Sequence, residues 1–182
     1  KSVEVECLSL YSNFIPSEFV RSVFHITPEM LKEKGVKAII TDLDNTLVEW
    51  DRPDATPKLI EWFTNMKEAG IQVTIVSNNN ELRVKSFADP LGIPFIYKAK
   101  KPLGKAFRHA LSIMSVKKEE VVVIGDQLLT DVFGGNRQKL HTILVIPVAK
   151  SDGFVTKFNR MVERRIFSYL DKKGQVTWEE EA

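Results

Sequence analysis

Short, mainly apolar runs recur along the chain at residues 36–40, 71–76, 121–124 and 141–146, each rich in Val or Ile and too short for a helix. Such runs read as strands buried on both faces. Between them the apolar positions fall at helical spacing. Leu59, Trp62, Phe63 and Met66 share one face of a segment that opens at Thr56-Pro57 and closes at Gly70, and Leu103, Phe107, Ala110, Leu111 and Met114 share a face of another. Thr27-Pro28 starts a shorter helix to Lys34, stopped by Gly35, with the same grammar of capping threonine, proline and terminal glycine. A helix and a strand fill the stretch from Ser77 to Lys101, and a further helix near Gly134-Gly135-Asn136 precedes the last run. Strands alternating with helices predict an α/β fold, with a central parallel sheet of about five strands covered by helices. There is no internal repeat and no low-complexity tract.

Composition fits one α/β domain over residues 1–182: 43% of residues are hydrophobic, 27% are charged and the formal charge is +2. One cysteine, Cys7, excludes an internal disulfide and reads as a small buried hydrophobe. No stretch approaches the roughly 20 apolar residues that span a bilayer. No charged-then-apolar leader opens the chain, although it begins at Lys1 without a methionine and so leaves an upstream targeting segment open.

The strand ends carry the candidate chemistry. The first run leads through Thr41 into Asp42-Leu43-Asp44-Asn45-Thr46, which places two acids in one loop. Their repulsion calls for a cation, and a divalent metal would supply it, leaving one carboxylate ionised and nucleophilic while the other moves a proton. Asp, Asn and Thr suit a helix cap and turn equally well, so this loop alone leaves both readings open. The second run ends in Ser77-Asn78-Asn79-Asn80, where a hydroxyl and backbone amides can hold phosphate oxygens, though Ser77 by itself reads equally as a plain helix cap. Lys98-Ala99-Lys100-Lys101-Pro102 offers Lys101 as a cation for nucleophile and phosphoryl group, although in isolation it reads first as a solvated lysine cluster. The fourth signal, Gly125-Asp126-Gln127-Leu128-Leu129-Thr130-Asp131, sets two more acids beside a glycine. In an open α/β sheet, ligands collect at the carboxyl ends of strands, and all four signals sit there. The histidines do not join them: His141 lies at a strand start, His109 on a helix face, and His25 lacks metal partners, so no zinc site is expected.

Taken together, these four motifs, within roughly residues 36–147, resemble those of the haloacid dehalogenase-like phosphatase superfamily. Finer detail looks like its subfamily IIIA, with bacterial YqeG-type proteins and mitochondrial phosphatidylglycerophosphate phosphatases as the nearest likeness, which extends to Ile26-Thr27-Pro28-Glu29-Met30-Leu31. The resemblance implies a Rossmann-like fold and a Mg²⁺-dependent phosphomonoesterase that works through an aspartyl-phosphate. By that likeness Asp42 is the nucleophile and Asp44 the general acid and base. Mg²⁺ is held by Asp42, the Asp44 backbone carbonyl and Asp126. Asp131 orients metal-bound water or Lys101, while Thr46, Ser77, Asn78 and Lys101 meet the phosphoryl group or brace the loop around it.

Members of the superfamily that act on small soluble substrates usually carry a cap domain, and this chain has no room for a large one, since only residues 48–55 separate the catalytic loop from the next helix. An open crevice suits a large substrate such as a lipid headgroup, a protein or a nucleic-acid end, or a covering partner. Trp50 and Arg52 could touch it, or form an ordinary exposed turn. Phosphatidylglycerophosphate is the substrate expected from the resemblance. A phosphoprotein, a nucleic-acid end, a soluble sugar or nucleotide phosphate, and a non-catalytic binding role stay as alternatives, and nucleic acid is the least expected partner.

Two flanking segments, 1–35 and 151–182, bear on membrane contact. Leu8, Leu10, Tyr11, Phe14, Ile15, Phe19, Val20, Val23 and Phe24 are crowded together, fit either for an interface or for packing under the sheet. Phe154, Phe158, Met161, Val162, Ile166, Tyr169 and Leu170 form a stripe opposite Lys157, Arg160, Arg164 and Lys172. That basic face could meet anionic lipid or simply solvent. Trp178-Glu179-Glu180-Glu181 reads as a frayed acidic tail. The location expected is the cytoplasm, or the periphery of a membrane, on the matrix side in a mitochondrion.

Overall fold

Continuous apolar runs become the central strands because both faces of each are covered. The computed structural model describes residues 12–149 and, beyond them, 161–163, 165–168, 171 and 174. Six parallel strands form one sheet in the order β1-β6-β5-β2-β3-β4. They are β1 (Glu18–Val20), β2 (Ala38–Thr41), β3 (Gln72–Val76), β4 (Phe95–Ile96), β5 (Val121–Gly125) and β6 (His141–Val145). Every residue of β2 and β5 is buried.

Period-two alternation divides the core. Ile39, Val122 and Ile124 face one side with Leu59, Met66, Ile75 and Phe87. Ala38, Ile40, Val121 and Val123 face the other with Phe107, Ala110 and Met114. Helices α1 (Pro28–Glu33), α2 (Pro57–Glu68), α3 (Glu81–Ala88), α4 (Lys105–Met114) and α5 (Phe133–Arg137) connect the strands. Thr27 and Thr56 cap α1 and α2 through their side chains, and a proline opens each helix. The indole of Trp62 on α2 donates to the carbonyl of Ile26 at 2.9 Å, which satisfies its buried N–H and ties the N-terminal segment to the sheet layer.

The described part of the N-terminal flank, from residue 12 onward, packs against the core. Phe19, Val20 and Val23 are buried, β1 pairs with β6 from Glu18 opposite Ile143 to Val20 opposite Val145, and Phe14 stacks on Phe133. Three residues form a sixth strand where the sequence led us to expect about five. The amide of Asn136 secures this segment, donating to the carbonyls of Asn13 and Ile15 at 3.0 and 2.8 Å while accepting from Thr142.

Positions 161–163 and 165–168 are helical. Ile166 is buried there, Val162 and Phe167 pack beside Phe19, Leu128 and Leu144, and Met161 is exposed. The described part of the apolar stripe therefore covers the core rather than offering a lipid-facing surface. Cys7, Leu8, Leu10, Tyr11, Phe154, Lys157, Phe158, Arg160, Arg164, Tyr169, Leu170, Lys172 and the tail from Trp178 to Glu181 lie outside the described residues. Among the described residues no helix is long and apolar enough to cross a membrane.

Candidate active site

The carboxyl ends of β2, β3, β4 and β5 deliver their loops to one crevice. Asp42 follows β2 directly, its backbone N–H donating to the carbonyl of Ile124 on β5, so the strand pairing continues up to the first acid. Lys101 reaches across from the loop after β4. Its ammonium lies 2.8 Å from Asp42 Oδ1 and 2.7 Å from Asp131 Oδ1, and the side chains of all three are almost wholly removed from solvent. Asp126, at the end of β5, is buried beside them.

Getting Asp131 there requires two local devices. Residues Leu128–Val132 form a π-helical turn, in which Val132 N–H donates to the carbonyl of Gln127, five residues back. Gly125 supplies the space: a Cβ at that position would lie 2.3 Å from Asp131 Cγ and 2.4 Å from its Cβ. The backbone N–H of Gln127 donates to Asp131 Oδ2, so both oxygens of that carboxylate are engaged.

The run Ser77 to Asn80 performs several separate tasks. Ser77 is buried at the end of β3 and accepts from the backbone N–H of Asn79. Asn78 grips the Lys101 backbone from both sides, accepting from its N–H at 2.7 Å and donating to its carbonyl at 3.2 Å. Asn79 Nδ2 donates to Asp44 Oδ2 at 3.0 Å, and Asn80 caps α3 by accepting from the N–H of Arg83. Left-handed backbone at Asn45, Lys98 and Lys100 turns the flanking loops.

These positions refine what the sequence led us to expect. Asp42, Asp44, Ser77, Asn78, Lys101, Asp126 and Asp131 lie on the loops that meet here. Thr46 does so from behind: it is 1% exposed and its hydroxyl donates to Asp126 Oδ1 at 2.8 Å, so it braces an acid instead of facing substrate. The Asn78 side chain is likewise spent on Lys101, which leaves its backbone amide for a ligand. Trp50 is exposed, and Arg52 pairs with its neighbour Glu49. His141, at the opposite end of the sheet, pairs with Glu18. Arg83 is the residue the sequence did not single out. Its guanidinium holds Asp44 Oδ1, with Nε at 3.0 Å and Nη2 at 2.9 Å. The two acids of the first loop are thus each given a cation by the protein itself.

The electrostatics follow from burial. Lys101 is driven down by desolvation, but the charges of Asp131 and Asp42 outweigh that and hold it above the usual lysine range. Burial raises Asp131 above the usual carboxylate range, with the charge of Lys101 opposing and that of Asp42 assisting. Asp44 is also raised, by burial first; the Asn79 hydrogen bond works against this, the charge of Asp42 adds to it and Arg83 again opposes it.

One oxygen from each of Asp42, Asp126 and Asp131 lies within 4.8 Å of the others, and all three residues are buried. Among the described residues Lys101 touches two of these acids, Asp42 and Asp131. Three buried carboxylate oxygens this close together are the kind of donor set that a divalent, oxygen-preferring cation takes. The donor set therefore fits such an ion.

The chain and its fold have known relatives. The family model for haloacid dehalogenase-like hydrolases matches residues 17–137. The chain is 72% identical over 167 residues to "Probable phosphatase YqeG" of Bacillus subtilis, covering 92% of this chain and 97% of that protein. It is 26% identical over 171 residues to the chloroplastic/mitochondrial phosphatidylglycerophosphate phosphatase 1 of Arabidopsis thaliana, covering 88% of this chain and 49% of the plant protein. Among solved structures, the cobalt-bound deoxy-D-mannose-octulosonate 8-phosphate phosphatase of Haemophilus influenzae shares the fold, with a TM-score of 0.52 at 19% identity, covering 63% of this chain and 70% of that one.

Proposed function

The chain belongs to the haloacid dehalogenase-like hydrolase family and is a phosphatase, and from that premise we propose that it hydrolyses phosphatidylglycerophosphate through a phosphoryl group carried on Asp42, with Mg²⁺ as its metal. The observation that carries the reaction is the bridge from Lys101 to Asp42 and Asp131 beside Asp126. It gives an anionic nucleophile, a fixed positive charge for phosphoryl oxygens and a place for a divalent ion.

An Asp42 carboxylate oxygen forms the new bond to phosphorus while the bond from phosphorus to the leaving oxygen breaks. Asp44 gives that oxygen its proton. It then takes a proton from water, whose oxygen attacks the same phosphorus and releases inorganic phosphate from Asp42. Acid and base help of this kind is worth about 10²- to 10⁴-fold. Lys101, Ser77 and the Asn78 backbone amide take the non-bridging oxygens. The divalent cation, when bound by Asp42, Asp126 and the Asp44 carbonyl, supplies further charge for those oxygens.

The lipid substrate is supported by the plant relative, of which this chain spans about half the length, and by the short segment 48–55 that stands where a cap would be inserted. A crevice without a large cap inserted at residues 48–55 suits a headgroup presented at a membrane surface, and the protein would work from the cytoplasm or the periphery of a membrane. The test is phosphate release from phosphatidylglycerophosphate in mixed micelles, run beside glycerol 3-phosphate and an aryl phosphate, with and without Mg²⁺. Rapid, Mg²⁺-dependent turnover of the phospholipid is expected. Turnover of the soluble esters with none of the phospholipid overturns the lipid assignment and leaves the phosphatase.

A further inference from the structure

We propose that Arg83 and Asn79 form a clasp that positions Asp44 for proton transfer to the leaving group, a role that rests on the reading of Asp44 as general acid. Each oxygen of the Asp44 carboxylate has its own partner: Oδ1 accepts from Nε of Arg83, whose Nη2 lies 2.9 Å away in ion-pair contact, and Oδ2 accepts from Nδ2 of Asn79. This fixes the plane of the carboxylate as well as its position.

Neither partner is free to turn away. Asn79 Oδ1 accepts from the backbone N–H of Asn80 at 2.8 Å, which orients the amide so that its NH₂ must face Asp44. Arg83 is set on the first turn of α3 by the Asn80 cap, and its Nη1 reaches the carbonyl of Pro53 at 3.4 Å. The same guanidinium lies over the ring of Phe87, 5.8 Å from its centroid. The arginine therefore ties three parts together: the catalytic loop, the short segment 48–55 and α3. A guanidinium so committed is a poor candidate for a mobile phosphate clamp, and its side chain is only 15% exposed.

Proton transfer is sensitive to such placement, since a misplacement of about 1 Å can cost on the order of 10²-fold. Geometry thus gives Arg83 a positioning role distinct from that of Lys101, which serves the nucleophile. The distinction has a chemical readout. An alkyl phosphate must have its departing oxygen protonated, whereas p-nitrophenyl phosphate releases a phenolate that leaves without a proton.

The experiment compares kcat/KM, which reports the first transfer alone, for glycerol 3-phosphate and p-nitrophenyl phosphate in wild type, Asp44→Asn, Arg83→Ala, Arg83→Lys and Asn79→Ala. Arg83→Ala should lower the alkyl value by about 10²-fold and the nitrophenyl value by less than about 10-fold. Asn79→Ala should shift selectivity in the same sense, and Arg83→Lys should recover part of the loss. In the Asp44→Asn background, Arg83→Ala should cost little more on p-nitrophenyl phosphate, because the two residues act as a unit. Equal losses for the two esters, no loss for either, or additive effects in the double variant overturn the clasp. Should Arg83→Ala not fold, the lysine and Asn79 variants decide the matter in the same assay. If Asp44→Asn itself fails to discriminate between the esters, the acid assignment falls; if it discriminates and the Arg83 variants do not, only the clasp falls.

Discussion

Replacing Gly125 with alanine should disable the enzyme through a single methyl group. The new Cβ would sit 2.3 Å from Asp131 Cγ, and ordinary contact begins at 3.4 Å, so the carboxylate must retreat by about 1 Å. Its bond to Lys101, now 2.7 Å, would lengthen beyond hydrogen-bonding range. Lys101 would keep Asp42 alone, and the ammonium would follow that carboxylate instead of standing between two. Overpacking of this size costs about 1–3 kcal/mol of stability, while a displacement of about 1 Å at reacting groups costs on the order of 10²-fold in rate. Gly135→Ala is the control: its Cβ meets Thr142 Cγ2 at 2.6 Å, a somewhat milder clash in the helix-to-sheet contact and away from the acids. Urea unfolding should show both variants destabilised, and kcat/KM should fall by about 10²-fold only in Gly125→Ala. A Gly125→Ala enzyme with near wild-type kcat/KM, or equal rate losses in the two variants, would refute the argument that close approach at this glycine sets the lysine bridge.

Two further outcomes follow from the same contacts. Thr46→Val removes the hydroxyl that donates to Asp126 at 2.8 Å, so Mg²⁺ should bind about 10- to 100-fold more weakly with kcat at saturating cation little changed; an unaltered activation constant would show that Thr46 does not brace the metal carboxylate. Glu18 tests the far end of the sheet by pH: burial raises its pKa, but hydrogen bonds and charges from Lys34 and His141 outweigh it and leave the folded value below 4.5. The sign follows from linkage, since a carboxylate with a depressed folded pKa stabilises the protein above pH 4.5 and loses that contribution as pH falls through its folded value. Glu18→Gln should therefore flatten the fall in melting temperature on acidification below that pH, and an unchanged slope would contradict the pairing.

How far the sequence discloses this molecule depends on where each contact comes from. The interior strands β2 and β5 are legible because burial on both faces demands unbroken apolar runs, and their carboxyl ends locate Asp42 and Asp126 without further information. β1 is not legible, because three residues at a sheet edge, Glu18, Phe19 and Val20, are too few to establish a period. The π-helical turn that lifts Asp131 toward Lys101 leaves no trace in composition; only the glycine at 125 hints at a close approach. Arg83 and Asn79 were hidden for another reason. In a local reading they are ordinary residues at a helix start, and their task becomes visible once the β2 loop brings Asp44 against them from 39 and 35 positions away in the chain. The puzzle of two acids side by side, which the sequence answers with a metal and Lys101, is met for Asp44 by Arg83 as well. The apolar flanks show the same ambiguity: Phe19, Val20 and Ile166 are as apolar as an interfacial element requires, and packing beside β6 is what they do.

The central claim is that Asp42 carries the phosphoryl group in turnover. Rapid acid quenching with a phosphate-labelled monoester, followed by peptide mapping, measures it directly. The account predicts a label that is stable in acid and cleaved by hydroxylamine, located on the peptide containing Asp42 and absent from Asp42→Asn. A label on another residue, or undiminished turnover by Asp42→Asn, would contradict it.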